Sequence, residues 1–188
     1  MNLKSFRKKS PWILHYNAGS CNGCDIEILA CLAPKYDIER FGMINTGNPK
    51  QSDILLVTGP VTKRSRERLV EIYAQMPEPK VVISCGACAS TGGVFRGMYN
   101  CEGGIDQFIP VDVYVSGCGT RPEQIIDGVV AALAILEEKS KEMGAEKVIL
   151  HARENAVPFY QSCGYSIVEK SYLLFDEIQH YLMEKHVK

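Results

Sequence analysis

Two cysteines separated by two residues are the first side chains in the chain that could do chemistry together. Cys21 and Cys24 lie in a Cys-Asn-Gly-Cys stretch, and the glycine between them lets both thiols point at one shared ligand. The pair joins a predicted strand, Trp12 to Tyr16, to a predicted helix from about Asp25 to Ala33. A CxxC motif in that position also fits a thioredoxin-like redox site, so its meaning depends on the other cysteines.

Other cysteines follow predicted strands as well. Continuous apolar runs predict three further strands, at Asp53 to Thr58, Lys80 to Ser84 and Val111 to Val115. Cys85 and Cys88 follow the strand that ends at Ser84, and Cys118 follows the last strand. Ligands of parallel sheets lie just beyond the carboxyl ends of the strands. Three separate loops are therefore expected to bring cysteines to one edge of a sheet.

The order of the elements predicts the kind of sheet. Helices are predicted at Arg64 to Met76 and from Thr120 to about Glu138, where Thr120 and Glu123 have the spacing of a capping box. Helices that alternate with strands of nearly continuous apolar residues are typical of a parallel sheet covered on both faces. We therefore predict an α/β fold, a flavodoxin-like doubly wound parallel sheet with cysteine-bearing loops at its carboxyl edge. A small α+β appendage is predicted to follow it.

The composition favours metal or redox chemistry over disulfide bonds. The chain has 188 residues, 46% of them apolar, and eight cysteines. No apolar region follows the basic stretch from Lys4 to Ser10, and no run approaches the roughly 18 apolar residues of a membrane-spanning helix. Disulfides are uncommon in intracellular proteins. The net charge of −1 gives no general reason to expect nucleic acid as a partner.

Four thiolates supplied by loops can hold a zinc ion or an iron–sulfur cluster. Structural zinc usually takes two CxxC pairs about 15–20 residues apart. Here a predicted strand and helix separate Cys24 from Cys85, and this long spacing favours a cluster. A zinc-stabilised scaffold stays open, as does a thiol–disulfide oxidoreductase that uses Cys21 and Cys24.

Three ordered motifs resemble one family. Cys21 to Glu27, Gly86 to Gly93 and Ile109 to Cys118 resemble the cluster-bearing small subunit of membrane-bound nickel–iron hydrogenases and the homologous subunit of respiratory complex I. The resemblance covers roughly residues 10 to 138. It implies a single 4Fe-4S cluster and assigns its four ligands by motif position as Cys21, Cys24, Cys88 and Cys118.

The resemblance also implies a role and a set of partners. The chain would relay electrons through its cluster to or from a nickel–iron hydrogenase-like large subunit, without being catalytic alone. A ferredoxin-type iron–sulfur subunit would be a second partner, membrane subunits would be indirect partners, and nucleic acid would not be one. The chain would lie peripherally on the cytoplasmic face of the cell membrane, with no transmembrane segment. The CxxC form resembles hydrogenases and a ferredoxin-dependent sulfur reductase, while a complex I-type quinone-reducing subunit is the alternative.

The chain departs from the family pattern in two ways. The family usually has Pro-Pro after the last cysteine, whereas this chain has Gly119 and Thr120. Cys85 and Cys101 are extra thiols that are expected near the site, so the fourth ligand stays open. Of the two remaining cysteines, Cys31 is predicted to be a packing residue of the first helix, and Cys163 lies in the C-terminal segment.

The segment after Glu138 has a different character. It resembles the last third of a GNAT-family N-acetyltransferase, with a strand to Arg153, a helix holding Phe159 and Tyr160, and closing strands. That resemblance would match Tyr160 to the general acid. The pyrophosphate-binding loop that should precede this piece is missing from the sequence, so acetyl transfer is not expected. We predict an iron–sulfur electron-transfer domain at 1–138 and a partial GNAT-like appendage at 139–188 that leans on another surface.

Overall fold

A parallel sheet organises the chain. The computed structural model describes residues 11–41, 43–174 and 177–187, so the stretch from Lys4 to Ser10 lies outside it. The strands of the sheet are β1 Trp12–Asn17, β2 Ile44–Asn45, β3 Ile54–Thr58, β5 Val81–Cys85 and β7 Val113–Val115. All five run parallel, in the order β2-β1-β3-β5-β7. Two short strands, β4 (Val61–Thr62) and β6 (Cys101–Gly103), form a separate antiparallel pair.

Helices cover both faces of the sheet. Helices α1 (Gly23–Leu32) and α4 (Pro122–Glu142) share one buried cluster with Ile54 and Leu56 of β3. Helices α2 (Arg66–Gln75) and α3 (Gly86–Thr91) share the other cluster with Leu55 and Val57. Successive residues of β3 therefore serve opposite cores, as alternation along a doubly covered strand requires. The predicted doubly wound α/β fold is confirmed.

Helix α1 has an apolar face that is exposed. Ile26 and Leu29 are 64% and 62% exposed, whereas Ile28 and Cys31 are buried. Cys31 is thus a packing residue, as predicted, but it lies on the other side of the helix from Ile26 and Leu29. An apolar sequence pattern marks a surface that is favourable to bury, and that surface can belong to an interface with another protein as well as to a core.

The Gly-rich stretch from Cys85 to Gly104 contains regular structure. Cys85 is the last residue of β5, opposite Thr58 and Val115, and its side chain is fully buried. Helix α3 follows it directly. Strand β7 begins at Val113, later than predicted, and just before it the carboxylate of Asp112 accepts a hydrogen bond from Val82 N–H at 2.8 Å.

Helix α4 differs from its prediction at both ends. It continues past Glu138 to Glu142. Arg121, not Thr120, is the N-cap residue, and its N–H donates to Gln124 Oε1 at 3.2 Å. The Thr120 side chain is fully buried instead. No helix in the described ranges is long and apolar enough to cross a bilayer.

The C-terminal segment folds onto the sheet domain. It contains β8 (Lys147–Arg153), α5 (Val157–Ser162), β9 (Ser166–Leu174) and β10 (Ile178–His186), with the strands antiparallel in the order β8-β10-β9. Leu150, Tyr160 and Met183 belong to the same buried cluster as α1 and α4. Tyr165 O–H donates to Glu137 Oε1 of α4 at 2.6 Å. The sequence predicts that this segment leans on another surface, and α4 forms part of that surface.

The segment meets the sheet at the amino ends of its strands. A cavity there is lined by Pro11, Asp53 and Pro79, which precede β1, β3 and β5, and by Leu150 and Tyr165 from the C-terminal segment. The cysteine-bearing loops follow the opposite, carboxyl ends of the strands. The boundary predicted at residue 138 falls inside α4 and stays a prediction.

A shared core predicts that the C-terminal segment and the sheet domain unfold together. Met183→Ala should lower the free energy of unfolding of the full chain by about 2–5 kcal/mol, because it leaves a cavity in the common cluster. Met143→Ala is the matched control, since Met143 is 41% exposed. Chemical denaturation monitored by circular dichroism measures both. Two separate transitions, with only one shifted by Met183→Ala, would contradict a common core.

Candidate metal centre

Four cysteines from three loops line one recess at the carboxyl edge of the sheet. The loops after β1, β5 and β7 form the walls of the recess. Its cysteines are Cys21, Cys24, Cys88 and Cys118. The structure thus brings together the four residues that the family resemblance assigns as ligands. Cys21 and Cys118 are exposed, while Cys24 and Cys88 are partly buried.

The first loop is shaped by the side chain at the end of β1. Asn17 Oδ1 accepts hydrogen bonds from the N–H groups of Gly19 at 2.9 Å and Ser20 at 2.8 Å. Ser20 Oγ accepts one from Asn22 N–H at 2.9 Å. Side chains of this kind hold tight turns by bonding to nearby backbone. These contacts shape the turn that contains Cys21, and Cys24 follows in the first turn of α1.

A polar cluster below Cys24 ties α1 to two strands. Asp25 Oδ1 lies 2.8 Å from Nε2 of His15 on β1 and accepts a hydrogen bond from Thr58 Oγ1 on β3 at 2.6 Å. Asn17 Nδ2 donates to the second carboxylate oxygen at 3.2 Å. His15 has no metal-ligand spacing around it in the sequence, and in the structure it positions the residue next to Cys24. Sequence reasoning missed this contact, because it joins three separate elements.

Glycines leave room for the thiols. A Cβ atom at Gly86 would lie 2.7 Å from Cys24 Sγ, and one at Gly93 would lie 2.8 Å from Cys88 Sγ. Carbon atoms do not approach sulfur so closely. Gly86 also begins α3 with a φ of 87°, a conformation that favours glycine. Ala87 N–H donates to Gly117 O at 2.8 Å, which joins the second cysteine loop to the third.

Buried hydrogen-bond donors act on Cys24. The Cys85 thiol donates to Cys24 Sγ and thereby lowers the pKa of Cys24 to about 5, with further hydrogen bonds from Thr120. The same bond and burial raise the pKa of Cys85. Burial also raises the pKa of Cys88. Cys24 is therefore ready to act as a thiolate, the form in which cysteine binds metals.

The two extra thiols lie outside the recess lining. Cys85 is behind Cys24 in the core, and Cys101 begins β6, where it pairs with Thr62. Cys101 does not line the recess, and the expectation that it lies near the site stays a prediction, whereas Cys85 is close but buried. Over the part of the chain that the structure describes, no three His, Cys, Asp or Glu side chains are grouped tightly enough to hold a single metal ion.

Two cysteines of α1 are expected to differ sharply in reactivity in the metal-free chain. The pKa of Cys24 is lowered to about 5, whereas burial raises the pKa of Cys31 to about 11. At pH 7 iodoacetamide should alkylate Cys24 well before Cys31, and the rate at Cys24 should fall as the pH drops through 5. Mass spectrometry of timed samples measures both rates.

Cys85→Ala removes the main cause of the low pKa of Cys24. The midpoint of the pH–rate curve of Cys24 should then move to higher pH. Cys163→Ala is the control, because Cys163 lies at the end of α5, and it should leave the midpoint of Cys24 unchanged. An unmoved midpoint in Cys85→Ala would rule out the bond between the two sulfurs.

The cysteine-bearing part of the chain matches a family of known proteins. Residues 21–132 match the family described as NADH ubiquinone oxidoreductase, 20 kDa subunit. A Pyrococcus furiosus protein described as a probable membrane-bound hydrogenase subunit is 53% identical over 139 residues, 74% of this chain and 83% of its own length. A subunit of the NADH-quinone oxidoreductase of Flavobacterium johnsoniae is 47% identical over 135 residues, 71% of this chain and 72% of its own length.

A solved structure extends the match to three dimensions. A chain of the membrane-bound sulfane sulfur reductase, an archaeal respiratory membrane complex, is similar with a TM-score of 0.61 and 39% identity, over 70% of this chain and 73% of that chain. The resemblance predicted from the three motifs is confirmed for this part of the sequence. The chain belongs to the family of the 20 kDa subunit of NADH ubiquinone oxidoreductase.

Proposed function

We propose that this chain is an electron-transfer subunit of a membrane-bound oxidoreductase complex, which relays electrons through one 4Fe-4S cluster to or from a catalytic large subunit. The observation that carries the proposal is the single recess lined by four cysteines from three loops. Relatives described as subunits of a membrane-bound hydrogenase and of NADH-quinone oxidoreductase support it, as does the sulfane sulfur reductase complex. Bond-making would take place in the large subunit.

The residues of the recess fit such a cluster. Cys21, Cys24, Cys88 and Cys118 would hold it as thiolates, and the cluster, when bound, supplies one-electron transfer. The glycines at 86 and 93 keep Cβ atoms away from two of the sulfurs. The bond from Cys85 favours the deprotonated form of Cys24 before any metal binds. The polar contacts of Asp25 hold the first turn of α1 in position for both CxxC thiols.

Metal analysis of cysteine variants tests the ligand assignment. The anaerobically purified chain should contain about four iron atoms and four acid-labile sulfides. Alanine at Cys21, Cys24, Cys88 or Cys118 should each remove most of the iron, because neighbouring backbone cannot replace a thiolate.

Cys101→Ala and Cys163→Ala are matched controls that should keep the iron, since neither thiol lines the recess. A colourless chain containing zinc would favour a zinc-stabilised scaffold. Loss of iron in Cys85→Ala together with its retention in Cys88→Ala would transfer the ligand role to Cys85.

The exposed face of α1 is our candidate for contact with the large subunit. Ile26 and Leu29 lie on the helix that begins between Cys21 and Cys24, so a protein bound there would approach the recess closely. Large exposed apolar side chains that cluster beside a functional site are typical of protein interfaces. An electron-transfer partner needs this proximity.

A charged side chain on this face should weaken binding of the large subunit without loss of iron from the recess. Leu29→Lys should reduce co-purification of the large subunit several-fold, while the iron content of the chain stays unchanged. Val70→Lys is the matched control, because Val70 is 42% exposed on α2 at the other face of the sheet. Undiminished co-purification of Leu29→Lys would place the contact elsewhere.

The terminal substrate depends on the partner. The CxxC spacing of Cys21 and Cys24 favours a hydrogenase or sulfur-reductase type of large subunit, and the likeness to the NADH-quinone oxidoreductase relative supports a quinone-reducing type as the alternative. We place the chain on the cytoplasmic face of the cell membrane, held by its partners, with a ferredoxin-type subunit as a second electron-transfer partner.

We propose that residues 139–188 are a partial GNAT-like appendage with a structural role. Tyr160, which that resemblance would match to a general acid, is fully buried. Its ring packs edge-on against Phe159 at 5.2 Å and Tyr165 at 5.4 Å between ring centroids. A side chain in this position supports packing and does not meet a substrate.

A further inference from the structure

The sulfur of Cys24 is distinguished from the other three recess thiols by its buried polar neighbours. Thr120 Oγ1 lies 3.7 Å from Cys24 Sγ, a hydrogen-bonding distance for sulfur. Cys85 and the Thr120 backbone also help to lower the pKa of Cys24 through hydrogen bonding. Both Thr120 and Cys85 are fully buried. Two fully buried residues, one of them within hydrogen-bonding distance, therefore lie behind one candidate ligand atom.

The direction of the hydroxyl bond follows from the chemistry of the ligand. A cysteine that binds iron is a thiolate, which has no proton and can only accept. The hydroxyl of Thr120 must therefore donate. Gly86 makes the approach possible, because a Cβ there would lie 3.3 Å from Thr120 Oγ1 and 2.7 Å from Cys24 Sγ.

We propose that Thr120 is a positioning residue that, together with Cys85, raises the reduction potential of the cluster through hydrogen bonds to Cys24 Sγ. The inference rests on the proposed function. Reduction adds negative charge to the cluster and its thiolates, and a donor stabilises the more negative state more strongly. Hydrogen bonds to cluster sulfurs are one of the means by which proteins set these potentials.

The residue type at position 120 gives the proposal a sequence signature. The family pattern has Pro-Pro after the last cysteine, where this chain has Gly119 and Thr120. Proline has no hydroxyl, so it cannot supply this bond. The threonine therefore adds a hydroxyl donor behind one ligand, and chains with proline at this position are expected to lack this contribution to the potential.

An isosteric substitution isolates the hydroxyl. Thr120→Val keeps the backbone N–H and the shape, and Thr120→Ser keeps the hydroxyl. In the anaerobically purified full chain, redox titration followed by electron paramagnetic resonance measures the midpoint potential of the cluster. This value does not depend on the fraction of chains that carry a cluster. We expect Thr120→Val to lower the reduction equilibrium constant about tenfold, a fall of about 59 mV for one electron. Thr120→Ser should stay near the unmodified chain, and Cys85→Ala should also lower the potential.

Thr46→Val serves as the control. The hydroxyl of Thr46 accepts a hydrogen bond from Asn48 N–H in a surface turn, so its loss should leave the potential unchanged. Iron analysis of the same samples tests separately whether the chain binds a cluster and whether Thr120 tunes its potential. An unmodified chain without iron and sulfide would overturn the proposed function itself.

Three results would overturn the inference while leaving the proposed function intact. One is full iron with an unchanged potential in Thr120→Val. Another is an equal fall in Thr120→Ser, which would point to packing as the cause. The third is complete loss of iron in Thr120→Val, because a bond that only tunes the potential is not required for assembly.

Discussion

Parallel strands in one sheet all end at the same edge, and the candidate metal centre depends on this constraint. Strands β1, β5 and β7 are separated in sequence but share one sheet, so the loops that follow them meet. Strand β3 lies between β1 and β5, and its end must leave space for the loop from β1 to pass. Gly59 provides that space, because a Cβ there would lie 2.1 Å from Ser20 N. A side chain at this position would displace the CxxC loop.

Much of this arrangement could be predicted from the sequence, because it depends on local patterns. Apolar runs such as Ile54–Thr58 are buried on both faces and indicate strands whatever surrounds them. With the strands in place, Cys21 and Cys88 have to lie at one edge. The N-cap of α4 differs by one residue from its prediction, because Thr120 resembles a capping residue in sequence but contacts Cys24 from across the fold. Such a contact has no local signature.

Three other features escaped sequence reasoning because neighbouring elements decide them. Cys85 resembles the start of a loop, yet pairing with Thr58 and Val115 on both sides extends β5 to include it. The apolar pattern of α1 could not distinguish the exposed Leu29 from a core residue, because apolar side chains of the same type occur in both places. Likewise, the bond between His15 and Asp25 depends on how α1 docks across the sheet. Tertiary contacts, which a single sequence does not display, settle each case.

The position of the C-terminal segment has a consequence for how this fold acquires new parts. The segment packs at the amino ends of the strands, beside Pro11 and Pro79, whereas the thiols occupy the carboxyl ends. A polypeptide segment added at the amino ends of the strands does not lengthen the distance that an electron would cross between the recess and a protein docked on α1. Selection for electron flow therefore places little constraint on fusions at that end. The same end is the natural attachment point for an affinity tag or a fluorescent reporter.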